Sequence, residues 1–147
     1  MKTPKLGKSK NNKPMHYSVG ALIKRKNKYL LIDRAIPPFG FAGIAGHIDE
    51  GESPEKALFR EVEEESGLKI EDYKLIFEEE LDWNWCSRGT SVHYWYLFDC
   101  RSSGEIKKNY TETKSIGWYS IGEIKKLKLE QKLEPVWEYW FKKLKLI

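Results

Sequence analysis

The sequence predicts an α/β domain in which helices flank a mixed β-sheet. Segments with the composition of strands alternate with segments of helical periodicity, in the order strands, helix, strands, helices. Residues 92–98 are apolar and aromatic at consecutive positions, which is typical of a central strand covered on both faces. A chain of 147 residues is one domain by length and can bury a substantial core.

The first third of the chain predicts a hairpin and a short strand. Residues 17–23 and 29–32 are apolar runs separated by a polar stretch, with Asn27 near the turn. Residues 35–41 contain Pro37, Pro38 and Gly40, so we expect a loop there. Residues 43–45 predict a short strand that leads into the next segment.

The second half predicts three more strands and two closing helices. The strands are expected at residues 73–81, 92–98 and 116–119, with loops at 83–90 and 102–112. A short helix is expected at residues 121–127, and a second one begins at Pro135. The second helix carries an apolar stripe at helical spacing, typical of a core-facing helix, with a membrane-surface helix as the alternative: Val136, Trp137, Trp140, Phe141 and Leu144.

The net charge of +4 is concentrated at the N-terminus. Residues 1–14 hold five of the 26 basic residues and no acidic one, so the remainder is close to neutral. This segment is rich in Lys, Asn and Pro, and we predict a flexible basic tail at residues 1–15 and a single domain at residues 16–147. Contact of the tail with nucleic acid or an anionic surface is the alternative to a solvated tail, and we expect no nucleic-acid partner.

Composition also indicates the cellular compartment of the protein. The sequence has no apolar run of about 18 residues and no apolar signal-peptide segment, which argues against a membrane span and export. Two cysteines, Cys86 and Cys100, do not indicate a disulfide scaffold. We therefore expect a reduced, cytoplasmic protein without a membrane partner. The oligomeric state stays open, a homodimer included.

Residues 46–68, GHIDEGESPEKALFREVEEESGL, predict a glycine-bounded loop followed by a helix. Ser53 suits the N-cap, Pro54 suits the first helical position, and Gly67 suits the left-handed residue that ends a helix. One face of this helix is apolar and is expected to pack on the core: Leu58, Phe59 and Val62.

Three carboxylates share the neighbouring face of that helix. Glu61, Glu64 and Glu65 fall within an arc of roughly 100°. Like charges at these spacings repel by about a few tenths of a kcal/mol per pair in an isolated helix. A hard divalent cation between the carboxylates would offset this repulsion, since oxygen ligands suit magnesium. A solvated acidic face is the alternative.

The spacing of the segment is that of a known signature: Gly46, five residues, Glu52, seven residues, Arg60, Glu61, Val62, Glu63, Glu64, Glu65, Ser66, Gly67 and Leu68. At every defined position it resembles the signature of the Nudix hydrolases, GX5EX7REUXEEXGU, in which U is apolar. Residues 44–45 are Ile-Ala, where the family often has Pro-Gly. The resemblance implies the Nudix α-β-α sandwich over residues 16–145.

The resemblance also implies an activity and a cofactor. Nudix enzymes hydrolyse a nucleoside diphosphate linked to another group, and they use Mg²⁺ or Mn²⁺ held by glutamates of the signature. By this resemblance Glu64 and Glu65 are metal ligands, the Gly46 carbonyl also coordinates, and Glu61 is a ligand or the general base. Arg60 and Glu52 are expected to form an ion pair that orients the loop.

Other site residues are expected outside the signature. Relatives place the general base either in the signature or on a later loop, where Glu112 is preferred over Glu105. Trp83 and Trp85 offer flat surfaces on which a base could stack, and Arg88 could reach a phosphate. Two histidines are assigned no catalytic part: His47 is expected to be exposed in a loop, and His93 to be a hydrogen-bonded interior residue.

Three functions remain open after the resemblance. The favoured one is hydrolysis of a nucleoside triphosphate to the monophosphate and pyrophosphate. The second is cleavage of a nucleotide sugar, for example an ADP-ribose-type diphosphate. The third is a non-catalytic module that senses a nucleotide, against which the complete set of carboxylates argues. RNA-end processing is a weaker fourth hypothesis, supported only by the basic tail.

Overall fold

The computed structural model describes residues 3–84, 89–107 and 113–147. Within these ranges the chain forms eight strands and three helices. The strands are β1 (Leu6–Lys8), β2 (Pro14–Arg25), β3 (Lys28–Arg34), β4 (Gly40–Ala42), β5 (Ile44–His47), β6 (Lys69–Leu81), β7 (Val92–Ser103) and β8 (Thr113–Ser120). The helices are α1 (Pro54–Ser66), α2 (Ile121–Leu129) and α3 (Pro135–Lys143), and none of them is long and apolar enough to cross a bilayer.

Strand β2 organises the sheet. It pairs antiparallel with β1, β5 and β3, and parallel with β7, whose other edge carries β6. Strand β3 in turn pairs antiparallel with β4 and β8. The sheet is therefore mixed, as the sequence predicts.

Helices cover both faces of this sheet. On one face α1 packs Leu58 and Val62 among buried residues of β2, β3 and β7. On the other face α3 packs Trp137 and Trp140 against Trp95, together with Leu97 and other buried residues. This layering confirms the predicted α/β class, the covered central strand at residues 92–98 and the core-facing closing helix.

Helix α1 begins and ends where the sequence predicts. The hydroxyl of Ser53 accepts a hydrogen bond from the Lys56 amide at 3.1 Å, and Gly67 ends the helix with a φ of 72°. The prediction that Phe59 faces the core is wrong. This residue is 42% exposed and makes an edge contact with Tyr73, because the buried side of the helix includes Ala57 in its place, beside Leu58 and Val62.

Several strands differ in extent from their predicted bounds. The β2–β3 hairpin is confirmed, and Lys26 and Asn27 form its turn with positive φ angles. Strand β6 begins at Lys69 and β7 continues to Ser103, because the two pair with each other beyond their apolar portions. Strand β4 overlaps the end of the segment predicted as a loop and pairs with β3.

The segment predicted as a flexible tail is packed in part. Leu6 to Lys8 pair with β2, the Lys5 amide donates to the Ile48 carbonyl at 2.7 Å, and the Glu50 amide donates to the Thr3 carbonyl at 2.9 Å. The expectation that this segment does not pack is therefore wrong for residues 3–8, since backbone pairing requires no apolar side chains. The domain boundary after residue 15 stays a prediction.

Candidate active site

An open cleft of about 250 Å³ lies between α1, the strands β2, β5 and β7, and the start of α3. Part of its lining comes from residues 46–65 and is called the box lining here: Gly46, His47, Asp49, Arg60, Glu61, Glu64 and Glu65. The rest comes from other parts of the chain and is called the non-box lining; it includes Arg34, Asn84, His93, Trp95, Glu134 and Trp137.

Arg60 is the centre of the box lining. Its guanidinium grips both carboxylate oxygens of Glu52, at 2.7 Å and 2.8 Å, and donates to the His47 carbonyl at 2.9 Å. Glu52 also accepts a hydrogen bond from the Asp49 amide at 3.0 Å. The predicted ion pair between Arg60 and Glu52 is thus present, and it fixes the loop between β5 and α1.

The same guanidinium also reaches the acidic face of α1. Its Nη1 donates to Glu61 at 2.7 Å and lies 3.6 Å from Glu64, while Nη2 lies 3.4 Å from Asp49. The hydrogen bond to Glu52, followed by the nearby Glu61, raises the pKa of Arg60 well above its ordinary value, although burial opposes the shift. One fixed positive charge therefore offsets part of the carboxylate repulsion expected from the sequence.

Gly46 allows Glu61 to approach strand β5 closely. A Cβ at residue 46 would overlap the Glu61 carboxylate, so any larger residue at this position would force the Glu61 side chain to move. Gly46 is held in place by pairing with Val19 of β2. The β5 backbone and an α1 carboxylate are consequently brought together at one end of the cleft.

The other two carboxylates differ in environment. Glu65 is only 5% exposed, and its Oε2 accepts a hydrogen bond from the Thr113 hydroxyl at 3.5 Å. The side chain of Glu64 is 40% exposed. The buried carboxylate is therefore fixed by its surroundings, whereas the exposed one can adjust to a ligand.

The chemistry of this donor set fits a hard divalent cation. Residues 46, 61, 64 and 65 all line one cleft, and they offer carboxylate and carbonyl oxygens, which Mg²⁺ and Mn²⁺ prefer. The excess of negative over positive charge in the box lining also favours a cation. The residues present thus fit the metal that the sequence implies.

Of the substrate-binding residues predicted from sequence, the structure describes only Trp83, which does not line the cleft. Trp83 is 48% exposed and lines a neighbouring hollow with Pro38, Asn84 and Glu134 instead of the cleft. Trp85, Arg88 and Glu112 lie outside the described residues. Their predicted roles stay predictions.

The non-box lining carries buried polar atoms that lack a protein partner within the described ranges. These are Oδ1 of Asn84, Nε1 of Trp95 and both ring nitrogens of His93. Glu134, also buried, uses both carboxylate oxygens to cap α3 through the amides of Val136 and Trp137, and burial raises its pKa. No sequence pattern indicated that these residues share a site.

The three histidines of the chain meet beside the cleft. The ring centroids of His16 and His47 lie 4.9 Å apart, and that of His93 lies 5.7 Å from His47 and 6.0 Å from His16. Burial, followed by the nearby His16, lowers the pKa of His93 to about 4, while the Asn84 backbone opposes the shift. His93 is interior as predicted, and the Asn84 backbone lies within reach of its ring, but neither ring nitrogen forms a hydrogen bond of standard geometry within the described part of the chain. His47 lies in β5, half-buried, and not in an exposed loop.

Comparison with known proteins gives concordant matches. The NUDIX domain family model matches residues 14–140. An RNA pyrophosphohydrolase of Tolumonas auensis is 37% identical over 59 residues, which is 40% of this chain and 34% of that protein. The NAD-capped RNA hydrolase NudC of Vibrio parahaemolyticus is 28% identical over 103 residues, 69% of this chain and 37% of that protein. These matches span about a third of each relative's length.

A solved structure agrees with the fold. The MutT protein of Methanosarcina mazei superposes with a TM-score of 0.72 at 23% identity. The likeness covers 89% of this chain and 93% of that protein. It therefore supports the arrangement of the sheet and helices described above.

Proposed function

The chain belongs to the NUDIX domain family, and we propose that it hydrolyses the pyrophosphate bonds of nucleotide-derived diphosphates with a divalent metal ion. A free nucleoside triphosphate, cleaved to the monophosphate and pyrophosphate, is the favoured substrate. The observation that carries this proposal is the set of oxygen donors from Gly46, Glu61, Glu64 and Glu65 in one cleft.

The Gly46 carbonyl and the carboxylates of Glu61, Glu64 and Glu65 would hold Mg²⁺ or Mn²⁺. An ion bound there would neutralise charge that builds up on the diphosphate and polarise the attacking water. The fixed position of Glu65 and the contact between Gly46 and Glu61 support this assignment.

Arg60 and Glu52 act on the loop and not on the substrate. The fork of Arg60 is occupied by Glu52, Glu61 and the His47 carbonyl, so its role is to position the box lining. Arg34 is a second cation of the cleft lining. Its Nε donates to the Pro38 carbonyl at 2.8 Å, and we assign its guanidinium to the substrate phosphates.

The non-box lining is proposed to select the substrate. A buried acceptor on Asn84 and a buried donor on Trp95 lack partners within the described ranges. Buried polar groups left unpaired cost about 1–3 kcal/mol each. A ligand that presents both a donor and an acceptor, as a nucleobase does, would satisfy the two groups.

The general base is assigned between Glu61 and Glu112. Thr113, which follows Glu112 in the chain, contacts Glu65, and this supports testing Glu112. We propose comparing Glu61→Gln, Glu112→Gln and, as a matched control, Glu105→Gln across pH. Loss of the rising limb of the pH–rate profile identifies the base. An unchanged profile in Glu112→Gln removes that residue from the reaction.

Processing of RNA 5′ ends is the second candidate function. Two relatives are named for RNA substrates, and the basic N-terminal segment lies beside the box loop. On this alternative the chain acts on a triphosphorylated or NAD-capped RNA end rather than on a free nucleotide.

A panel of substrates tests both candidates at once. Nucleoside triphosphates, nucleotide sugars, NAD and 5′-triphosphorylated oligoribonucleotides are each incubated with Mg²⁺, with Mn²⁺ and with EDTA, and the products are resolved by chromatography. Highest kcat/KM on free triphosphates supports the favoured function, whereas highest kcat/KM on RNA ends supports the second. Binding without turnover on every substrate would indicate a sensing module.

We also propose a reduced, cytoplasmic location from the cysteine content. Fractionation of cells tests this proposal.

A further inference from the structure

Three adjacent strands each contribute one histidine to a single cluster. His16 of β2 and His93 of β7 are paired residues of the parallel ladder, and His47 of β5 pairs with Ser18, two positions further along β2. The ligand nitrogens of the three rings all lie within 4.8 Å of one another. Side chains two positions apart on a strand share a face of the sheet, so this convergence follows from the registers of both ladders.

The cluster contains an unmet bonding requirement. His93 is 1% exposed, and neither of its ring nitrogens forms a hydrogen bond of standard geometry within the described ranges, although the Asn84 backbone lies within reach of the ring. Leaving a buried polar group unpaired destabilises the fold. A metal–nitrogen bond would satisfy one of these nitrogens.

The donor chemistry differs from that of the box lining. The histidine cluster offers three imidazole nitrogens, which suit zinc, cobalt, nickel and copper, whereas carboxylate and carbonyl oxygens suit magnesium and manganese. His47 and His93 also line the cleft. An ion held by three histidines would therefore keep an open coordination position accessible from the cleft, as catalytic zinc sites do.

We propose that His16, His47 and His93 form a binding site for a transition-metal ion of the Zn²⁺ class, separate from the oxygen-lined magnesium site. Tetrahedral Zn²⁺ with metal–nitrogen bonds of about 2.0–2.1 Å holds its nitrogens about 3.4 Å apart. Small rotations of the rings close the remaining distance. The cleft then contains two cation sites of different metal preference, one formed by carboxylates and one formed by imidazoles.

Co²⁺ is the probe for this site because its visible absorption reports ligand type and geometry. Protein without a polyhistidine tag is saturated with Mg²⁺ and titrated with Co²⁺, and the spectrum and the heat of binding are recorded. We expect one equivalent of Co²⁺ to bind with intense absorption typical of a four-coordinate site. Displacement of the bound Co²⁺ by added Zn²⁺, followed as loss of its absorption, gives the Zn²⁺ affinity by competition.

Matched variants assign the ligands. His47→Ala and His16→Gln should each weaken Co²⁺ binding at least about tenfold and abolish the intense bands, while Glu64→Gln should keep both unchanged. His93→Gln should behave like the other two histidine variants. If circular dichroism shows that His93→Gln does not fold, the His47→Ala variant still tests the proposal, because His47 is only half-buried.

Thermal melting provides a second readout. Zn²⁺ should raise the Tm of the parent and of Glu64→Gln in excess Mg²⁺, but not the Tm of His47→Ala. The proposal is overturned if the parent and the histidine variants have the same Co²⁺ spectra and the same Co²⁺ affinity. It is also overturned if the intense bands and tight Co²⁺ binding are lost only in Glu64→Gln.

Discussion

The two parts of the cleft lining satisfy their polar groups in opposite ways. In the box lining, charged side chains bind one another: the Arg60 guanidinium donates to the carboxylates of Glu52 and Glu61. It also donates to the His47 carbonyl. In the non-box lining, polar atoms of Asn84 and Trp95 are buried without a partner in the described ranges. The first part is already organised by the protein, and the second still requires a ligand.

This difference suggests a division of labour. A preorganised charged region lowers the cost of assembling the reacting groups, whatever the substrate is. Buried groups without partners discriminate between substrates. A substrate that forms hydrogen bonds with them removes the free-energy cost of leaving them unpaired, and a substrate that does not binds more weakly. Changes in the box lining should therefore affect turnover of every substrate, and changes in the non-box lining should affect substrate choice.

The largest effect is expected from neutralising Glu64, a carboxylate of the box lining that we propose as a metal ligand. Glu64→Gln should lower kcat about a thousandfold on every substrate tested, equivalent to about 4 kcal/mol of barrier. Its stability in EDTA should change by less than about 0.5 kcal/mol, because the side chain is largely exposed. The measurements are steady-state kinetics and paired melting curves with EDTA and with Mg²⁺.

Glu63→Gln is the matched control for Glu64→Gln, since Glu63 is exposed on the same helix and absent from the cleft lining. It should retain parental kinetics. Mg²⁺ at about 100 times its Kd should stabilise the parent by roughly 2.7 kcal/mol, and Glu64→Gln by less. An equal gain in both proteins would show that Glu64 is no metal ligand.

The next largest effect concerns the internal pairing of the box lining. Arg60→Lys keeps the charge but cannot grip both oxygens of Glu52 while reaching Glu61. We expect a loss of about 2–3 kcal/mol in EDTA, since several charge-assisted hydrogen bonds are removed. Mg²⁺ should recover part of the loss by replacing the missing contacts to Glu61 and Glu64. Urea unfolding with and without Mg²⁺ measures both quantities, and parental stability in EDTA would contradict the central role of Arg60.

A steric test follows from the contact between Gly46 and Glu61. Gly46→Ala should destabilise the fold by about 1–3 kcal/mol, because the added methyl group overlaps the carboxylate. Gly117→Ala is the control: its Cβ would meet no atom closer than 3.7 Å, so stability should stay the same or rise by about 0.4–1 kcal/mol. Denaturant midpoints compare the two. Equal effects would mean that Glu61 moves aside without cost.

The smallest effect is expected in the non-box lining. Asn84→Leu should raise KM about tenfold for the preferred substrate, a change of about 1.4 kcal/mol, and leave kcat within about threefold. Stability should be unchanged or higher, since an unpaired buried acceptor is removed. If kcat falls while KM is unchanged, Asn84 belongs to the reacting groups, and the division between the two linings fails.

Local sequence was sufficient for the box lining. Its loop, caps and carboxylates lie within residues 46–68, so spacing along one helix places them relative to one another. The contacts from Arg60 to Glu61 and Glu64 were missed because they depend on the side-chain conformation of the arginine. Phe59 was misplaced because the width of a buried stripe is set by the sheet beneath it and not by the helix alone.

The non-box lining could not be predicted from spacing, because it is assembled by strand register. Asn84 follows β6, Trp95 lies in β7, and Glu134 caps α3, so they come from three different segments. The same holds for the histidine cluster, which requires the registers of β2 with both β5 and β7. The pairing of β1 escaped prediction since its backbone, and not its side chains, makes the contacts.

The parallel pairing of β2 with β7 also has a kinetic consequence. It joins residues about 77 positions apart, such as His16 and His93. Closing so long a loop has an entropic cost that must be met before the contacts form, and such contacts slow folding. Helix α1 needs only local hydrogen bonds to begin forming. We therefore expect helix α1 to form early on the folding pathway and the cleft to form late, when the β2–β7 ladder closes. The carboxylates would then be arranged on their helix before the substrate cleft exists.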